Sequence, residues 1–123
     1  MLPVTITSKE HGEACPIRQV LSKVTGKWTI LIVLCLEDGP LRFGELKRTV
    51  GDITQRVLTE NLRTLERDGY LTRTVDPGPP VAVSYELTPQ GEAWLKHLRD
   101  IVIFSAKTFE DVKAAREAYD ARA

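Results

Sequence analysis

At Gly69 the apolar residues of this chain change period, from spacings of three and four to strict alternation, and that switch constrains the fold more than any other feature. Before it, Val57, Leu58, Leu62 and Leu65 make one apolar stripe of a helix over about residues 54–68, with Thr54 as its cap. Gly69 stops it, because a helix end commonly needs a left-handed residue there. After it, Tyr70, Thr72 and Thr74 alternate with Leu71, Arg73 and Val75, and a second strand runs from Val81 to about Leu87. The intervening Asp76-Pro77-Gly78-Pro79-Pro80 reads as a rigid turn, so residues 70–88 form a hairpin.

The remaining pattern is helical. Pro16 suits a first helical position, and Ile17, Val20, Leu21 and Val24 recur at helical spacing until Gly26. Lys27 to Leu36 is almost continuously apolar; its ten-residue length and the Gly39-Pro40 stop favour a buried helix over a strand. A shorter helix follows from Arg42 to about Val50, with Phe43, Leu46 and Val50 inward, and Gly51-Asp52 breaks it. Thr88-Pro89 then opens a long helix over about residues 89–121. On it Trp94, Leu95, Leu98, Ile101, Val102, Phe109 and Val112 are expected to cover the core. Ile103 and Phe104 add a second apolar face that needs a partner, and dimerisation is the expectation. Residues 1–13 have no period and read as an arm whose order depends on a partner.

Three helices, the last two joined by a tight glycine-containing turn, then a hairpin, is the order of a winged helix-turn-helix. The fold class expected is thus mainly α with a small β-hairpin (α+β). Such a motif sets its second helix in a DNA major groove. On that helix Arg56 and Arg63 can bond guanine bidentately, Gln55 can pair with adenine, Glu60 can accept from cytosine, and Thr54 and Thr59 complete the candidate base-reading set. Arg42, Lys47, Arg48 and Arg73 suit phosphate. The chain as a whole is neutral, with 17 Lys and Arg against 17 Asp and Glu, so a protein that binds nucleic acid by being basic throughout is excluded. Residues 16–73 nevertheless hold ten Lys and Arg against seven Asp and Glu, and residues 74–123 hold six against eight. Recognition must therefore come from charge placement.

The motifs Cys15-Pro16, Gly26-Lys27-Trp28 with Leu31, Arg42-Phe43 with Leu46, Ile53-Thr54, Leu58-Thr59, Leu62-Arg63, Leu65-Glu66, Asp68-Gly69-Tyr70 and Tyr85-Glu86-Leu87-Thr88 with Gly91 resemble those of HxlR-type bacterial transcriptional regulators. The resemblance covers about residues 14–122, taken as one domain. It implies a homodimer built partly on the N- and C-terminal helices, binding double-stranded DNA as a repressor or activator. It also implies a candidate redox or electrophile sensor at Cys15. One departure is that Ala82 stands where the family often carries an arginine, and no basic residue lies between Val75 and Ser84. The recognition helix rather than the wing is expected to read the DNA.

At 123 residues, 42% hydrophobic and 28% charged, the chain fits a single soluble globular domain. Two cysteines are too few for a disulfide scaffold or a zinc site, and a reducing cytoplasm is the expected compartment. At a helix N-terminus the Cys15 thiol would be favoured as thiolate; the competing reading is a packing cysteine. Cys35, inside the apolar helix, reads as inert core, and only geometry can decide a Cys15–Cys35 bridge. His11 and His97 stand apart from any carboxylate or cysteine constellation, so neither catalysis nor a metal is expected. Gly26-Lys27-Trp28 is not a phosphate-binding loop, since Leu21 and Trp28 occupy the places of its glycine and hydroxyl residue. No signal peptide, membrane span or cofactor motif is read, and the hairpin leads straight into the last helix without a separate effector domain, so no effector is legible. The alternative from a different class is a winged-helix module whose polar helix face docks a protein.

Overall fold

The computed structural model describes residues 16–24 and 26–122; the arm read over residues 1–13 and Cys15 lie outside the described residues. Helix α1 spans Pro16–Val24, α2 Lys27–Cys35, α3 Phe43–Val50, α4 Gln55–Arg67 and α5 Pro89–Asp120. Strand β1 is Leu41–Arg42, β2 Leu71–Asp76 and β3 Ala82–Leu87. The sheet is antiparallel in the order β1-β3-β2. The mainly helical winged helix-turn-helix expected from the sequence is the fold observed.

The switch at Gly69 is where the chain turns from α4 into the sheet, with φ of +86° at that glycine. Thr54 caps α4 as read, its hydroxyl oxygen accepting from the Val57 amide at 3.1 Å. Leu58, Leu62 and Leu65 point inward and are fully buried. They meet Ile32, Val33 and Leu36 from the α2 segment, Leu46 of α3, Leu71, Tyr85 and Leu87 of the sheet, and Leu95 and Leu98 of α5 in one core. A polar link joins α2 to α4, the Thr29 hydroxyl donating to Asn61 Oδ1 at 3.3 Å.

The end of α4 and the start of α5 are stitched together. The Thr88 hydroxyl donates to the Gly69 carbonyl at 2.6 Å and accepts from the Gly91 amide at 3.1 Å. The Thr88 amide donates to the Tyr70 carbonyl at 3.1 Å, and Gln90 Nε2 donates to the Asp68 carbonyl at 3.0 Å. Gly91 is buried here, and only glycine fits, because any Cβ would run into the Tyr70 carbonyl. These bonds fix the direction in which α5 leaves the body relative to α4.

Three expectations are corrected. Arg42 does not begin a helix: it lies in β1, pairs with Ser84 of β3, and caps α3 through its own amide, which donates to Glu45 Oε1 at 3.0 Å. A two-residue strand is too short to show alternation, so the sheet has three strands rather than two. The second strand starts at Ala82 rather than Val81, and Tyr70 precedes β2. Finally, Ile101, Val102, Phe109 and Val112 do not cover this protomer's core: they are exposed, because the body ends at Leu98 and α5 continues past it. At 1.5 Å per residue the part beyond Leu98 extends roughly 33 Å. No described helix is long and apolar enough to cross a membrane.

Candidate nucleic-acid interface

The surface that can meet a duplex is built on α4. Packing of Leu58, Leu62 and Leu65 on the core turns Gln55, Arg56, Glu60, Arg63 and Arg67 outward, all of them exposed. Arg56 Nε donates to Glu60 Oε1 at 3.1 Å, with the arginine side chain 87% exposed. An exposed i,i+4 pair contributes only about 0.2–0.5 kcal/mol. Its effect is orientation, holding the guanidinium along the helix while leaving its terminal nitrogens to reach out.

The two threonines of the reading set are already engaged in the helix. Thr54 caps it, and the Thr59 hydroxyl donates to the Gln55 carbonyl at 2.8 Å. Thr59 is half-buried and looks towards the sheet, where it lines a cleft of about 340 Å3 with Arg63, Glu66, Arg73 and Tyr85. Arg63 thus lines the same cleft as Arg73. The sequence pattern assigns neither Tyr85 nor Glu66 to the site. Tyr85 falls opposite Arg73 in the β2–β3 register, which becomes countable only once the turn is known to span residues 77–81.

The other cations flank α4. Arg42 and Arg48 are exposed and Lys47 is half-buried at the end of α3. Cations in the last turn of a helix are favoured by its dipole. Among the described residues no carboxylate oxygen lies within 4.0 Å of Arg42, Lys47, Arg48, Arg63, Arg67 or Arg73; the ion pairs there involve Arg56, Arg99 and Lys113. Carboxylates at Glu45, Glu60 and Glu66 are interleaved with these cations, which keeps the field modest. Away from this surface, Cys35 is half-buried in α2, and burial raises its thiol pKa, which disfavours the reactive thiolate.

Residues 23–112 match the model of the HxlR-like helix-turn-helix family. The chain is 36% identical over 106 residues to the uncharacterized HTH-type transcriptional regulator YtfH of Escherichia coli, covering 86% of this chain and 84% of that protein. Its fold superposes with a TM-score of 0.80 on the putative transcriptional regulator ytfH from Salmonella typhimurium, at 38% identity over 85% of this chain and 94% of that one. It superposes with a TM-score of 0.70 on the redox regulator HypR in its oxidized form, at 34% identity over 76% of this chain and 96% of that one. With the capped α4, the flanking sheet and most of α5 all inside the matched span, the chain belongs to the HxlR-like helix-turn-helix family of transcriptional regulators.

Proposed function

We propose that this protein is a homodimeric, sequence-specific DNA-binding transcriptional regulator that reads a pseudo-palindromic operator with α4. The observation that carries this reading is the outward face of α4, polar and exposed, flanked by cations that no described carboxylate neutralises. Gln55, Arg56 and Glu60 read base edges, with Thr54 and Thr59 beside them. Arg42, Lys47, Arg48 and Arg73 hold phosphates and set the register. The partner copy is engaged through α1 and α5, whose Val20, Leu21, Ile103 and Phe104 are exposed on the isolated protomer.

The test is selection of bound duplexes from a random pool, followed by affinity measurements on the selected site and a scrambled one. Arg56→Ala should shift base preference at its position by roughly fivefold to 150-fold, since a bidentate arginine–guanine pair discriminates by about 1–3 kcal/mol. Lys47→Ala should weaken both duplexes alike and lower the salt slope by about 0.9. Equal loss on both duplexes for Arg56→Ala refutes its role. A protein with no salt-sensitive duplex binding is instead a protein-docking module.

The likeness to a redox regulator and the position of Cys15 immediately before α1 support a response to oxidants or electrophiles through that thiol. Diamide should change operator affinity of the parent protein and leave Cys15→Ser unaffected. An indifferent parent protein sinks this part of the reading.

A further inference from the structure

Thr59, Arg63 and Glu66 follow one another on α4 at spacings of four and three, so they share one edge of the helix, the edge beside the sheet. Across the gap Arg73 of β2 is paired in register with Tyr85 of β3, and the two side chains complete the cleft. Its charged lining is two guanidinium groups and one carboxylate. Neither arginine has a carboxylate oxygen of the described residues within 4.0 Å, and the Thr59 proton is already given to the Gln55 carbonyl. Glu66 offsets only one of the two guanidinium charges, so the cavity keeps a net positive charge that favours an incoming anion, and arginine is the side chain best suited to grip an oxyanion bidentately.

The place of the cleft says which anion. A helix with its side chains is about 10–12 Å across and fills a major groove about 12 Å wide. An element packed beside a helix so seated has no room in the same groove and must lie over the sugar–phosphate ridge at its edge. The β2–β3 hairpin is that element, and the cleft is lined from both α4 and the hairpin, so with α4 in the groove it would lie beside that ridge.

We propose that this cleft seats one backbone phosphate of the operator in each half-site, gripped by Arg63 from the helix side and Arg73 from the sheet side. The assignment rests on the DNA-binding reading above. Arg63, whose residue type equally suits a guanine edge, becomes a positioning contact that fixes how far α4 slides along the groove. The volume of about 340 Å3 leaves room for the phosphodiester with bridging water, and Tyr85 closes the sheet side. This also explains how a wing without a basic residue between Val75 and Ser84 still serves the complex: the hairpin contributes at its base through Arg73 rather than at its tip.

The experiment uses the full chain, the duplex selected from a random pool, and a scrambled duplex of equal length, with affinities measured across a salt series. Arg63→Ala and Arg73→Ala should each weaken both duplexes by the same factor, leave base preference unchanged, and lower the salt slope by about 0.9 per phosphate contacted. Because both grip one phosphate, the double variant should lose no more slope than either single one. Neutral methylphosphonate placed along the operator should find one position per half-site that weakens the parent protein and leaves the double variant indifferent. Both arginines are exposed, so thermal unfolding should be unchanged in every variant. A changed base preference in Arg63→Ala, or slope losses that add in the double variant, overturns the shared seat. Protection of the DNA-free protein by inorganic phosphate at constant ionic strength, lost in both variants while duplex binding ignores them, assigns the cleft to a free phosphorylated ligand and overturns it too. Failure of the DNA-binding reading itself is visible earlier, as an absence of salt-dependent binding by the parent protein.

Discussion

Phe104→Asp should separate the protein into monomers and lower its affinity for a two-half-site operator by about a hundredfold to ten-thousandfold, the range over which linking two binding units raises avidity. Phe104 is 65% exposed on the protomer, beside Ile103 and along the same projecting helix as Phe109 and Val112. Burying one such aromatic side chain contributes about 1.5–3 kcal/mol. A two-fold interface counts the change twice and would also bury an unpaired carboxylate from each copy. The protomer itself should be untouched, since Phe104 is not among the described residues packed in or against the core. Sedimentation should report the loss of dimer, circular dichroism an unchanged fold, and anisotropy the loss of operator binding with single half-site binding retained. A variant that sediments and binds as the parent does would remove α5 from the interface.

On α4 the largest expected effect comes from the opposite face. Leu62 is 1% exposed and sits in the cluster that joins α2, α3, the sheet and α5. Leu62→Ala removes three carbons from a site walled by other elements that cannot all close in, and the expected cost is about 2–5 kcal/mol. That is a large part of the roughly 5–15 kcal/mol that keeps a domain folded. Urea unfolding at fixed protein concentration should show the midpoint fall with an unchanged slope, and the selected base preference should persist while the fold does. Arg56→Ala, six residues earlier on the same helix, should do the reverse, changing preference with little effect on stability. A cost below about 1 kcal/mol for Leu62→Ala would mean that α4 is not seated on the core as described.

The helices were legible because their signals are local. Thr54 and Thr88 cap the helices that their sequence positions announce, and Gly69 turns the chain where the apolar period changes. The candidate site was legible by residue type and helix face: Gln55, Arg56 and Glu60 lie on the surface that the stripe of Leu58, Leu62 and Leu65 leaves outward. Strand β1 was not legible, because two residues show no period and their partners on β3 lie far along the chain, beyond α3 and α4. The exposed end of α5 was misread for a related reason. Periodicity tells which residues share a face, but Ile101 and Val102 continue the face of Leu95 and Leu98 without marking where the body beneath it stops.

What the sequence by itself determined is therefore the order of elements, the capped reading helix and its polar face, since each follows from capping, turn chemistry or an uninterrupted period within a few residues. What only the tertiary structure decided is which distant residues share a space. Arg63 and Arg73 come from a helix and a strand separated by the Gly69 turn, and Tyr85 joins them from across the hairpin. Their meeting depends on the register of β2 on β3 and on how α4 packs against that ladder. Both are settled by the burial of the whole core rather than by any short stretch of chain.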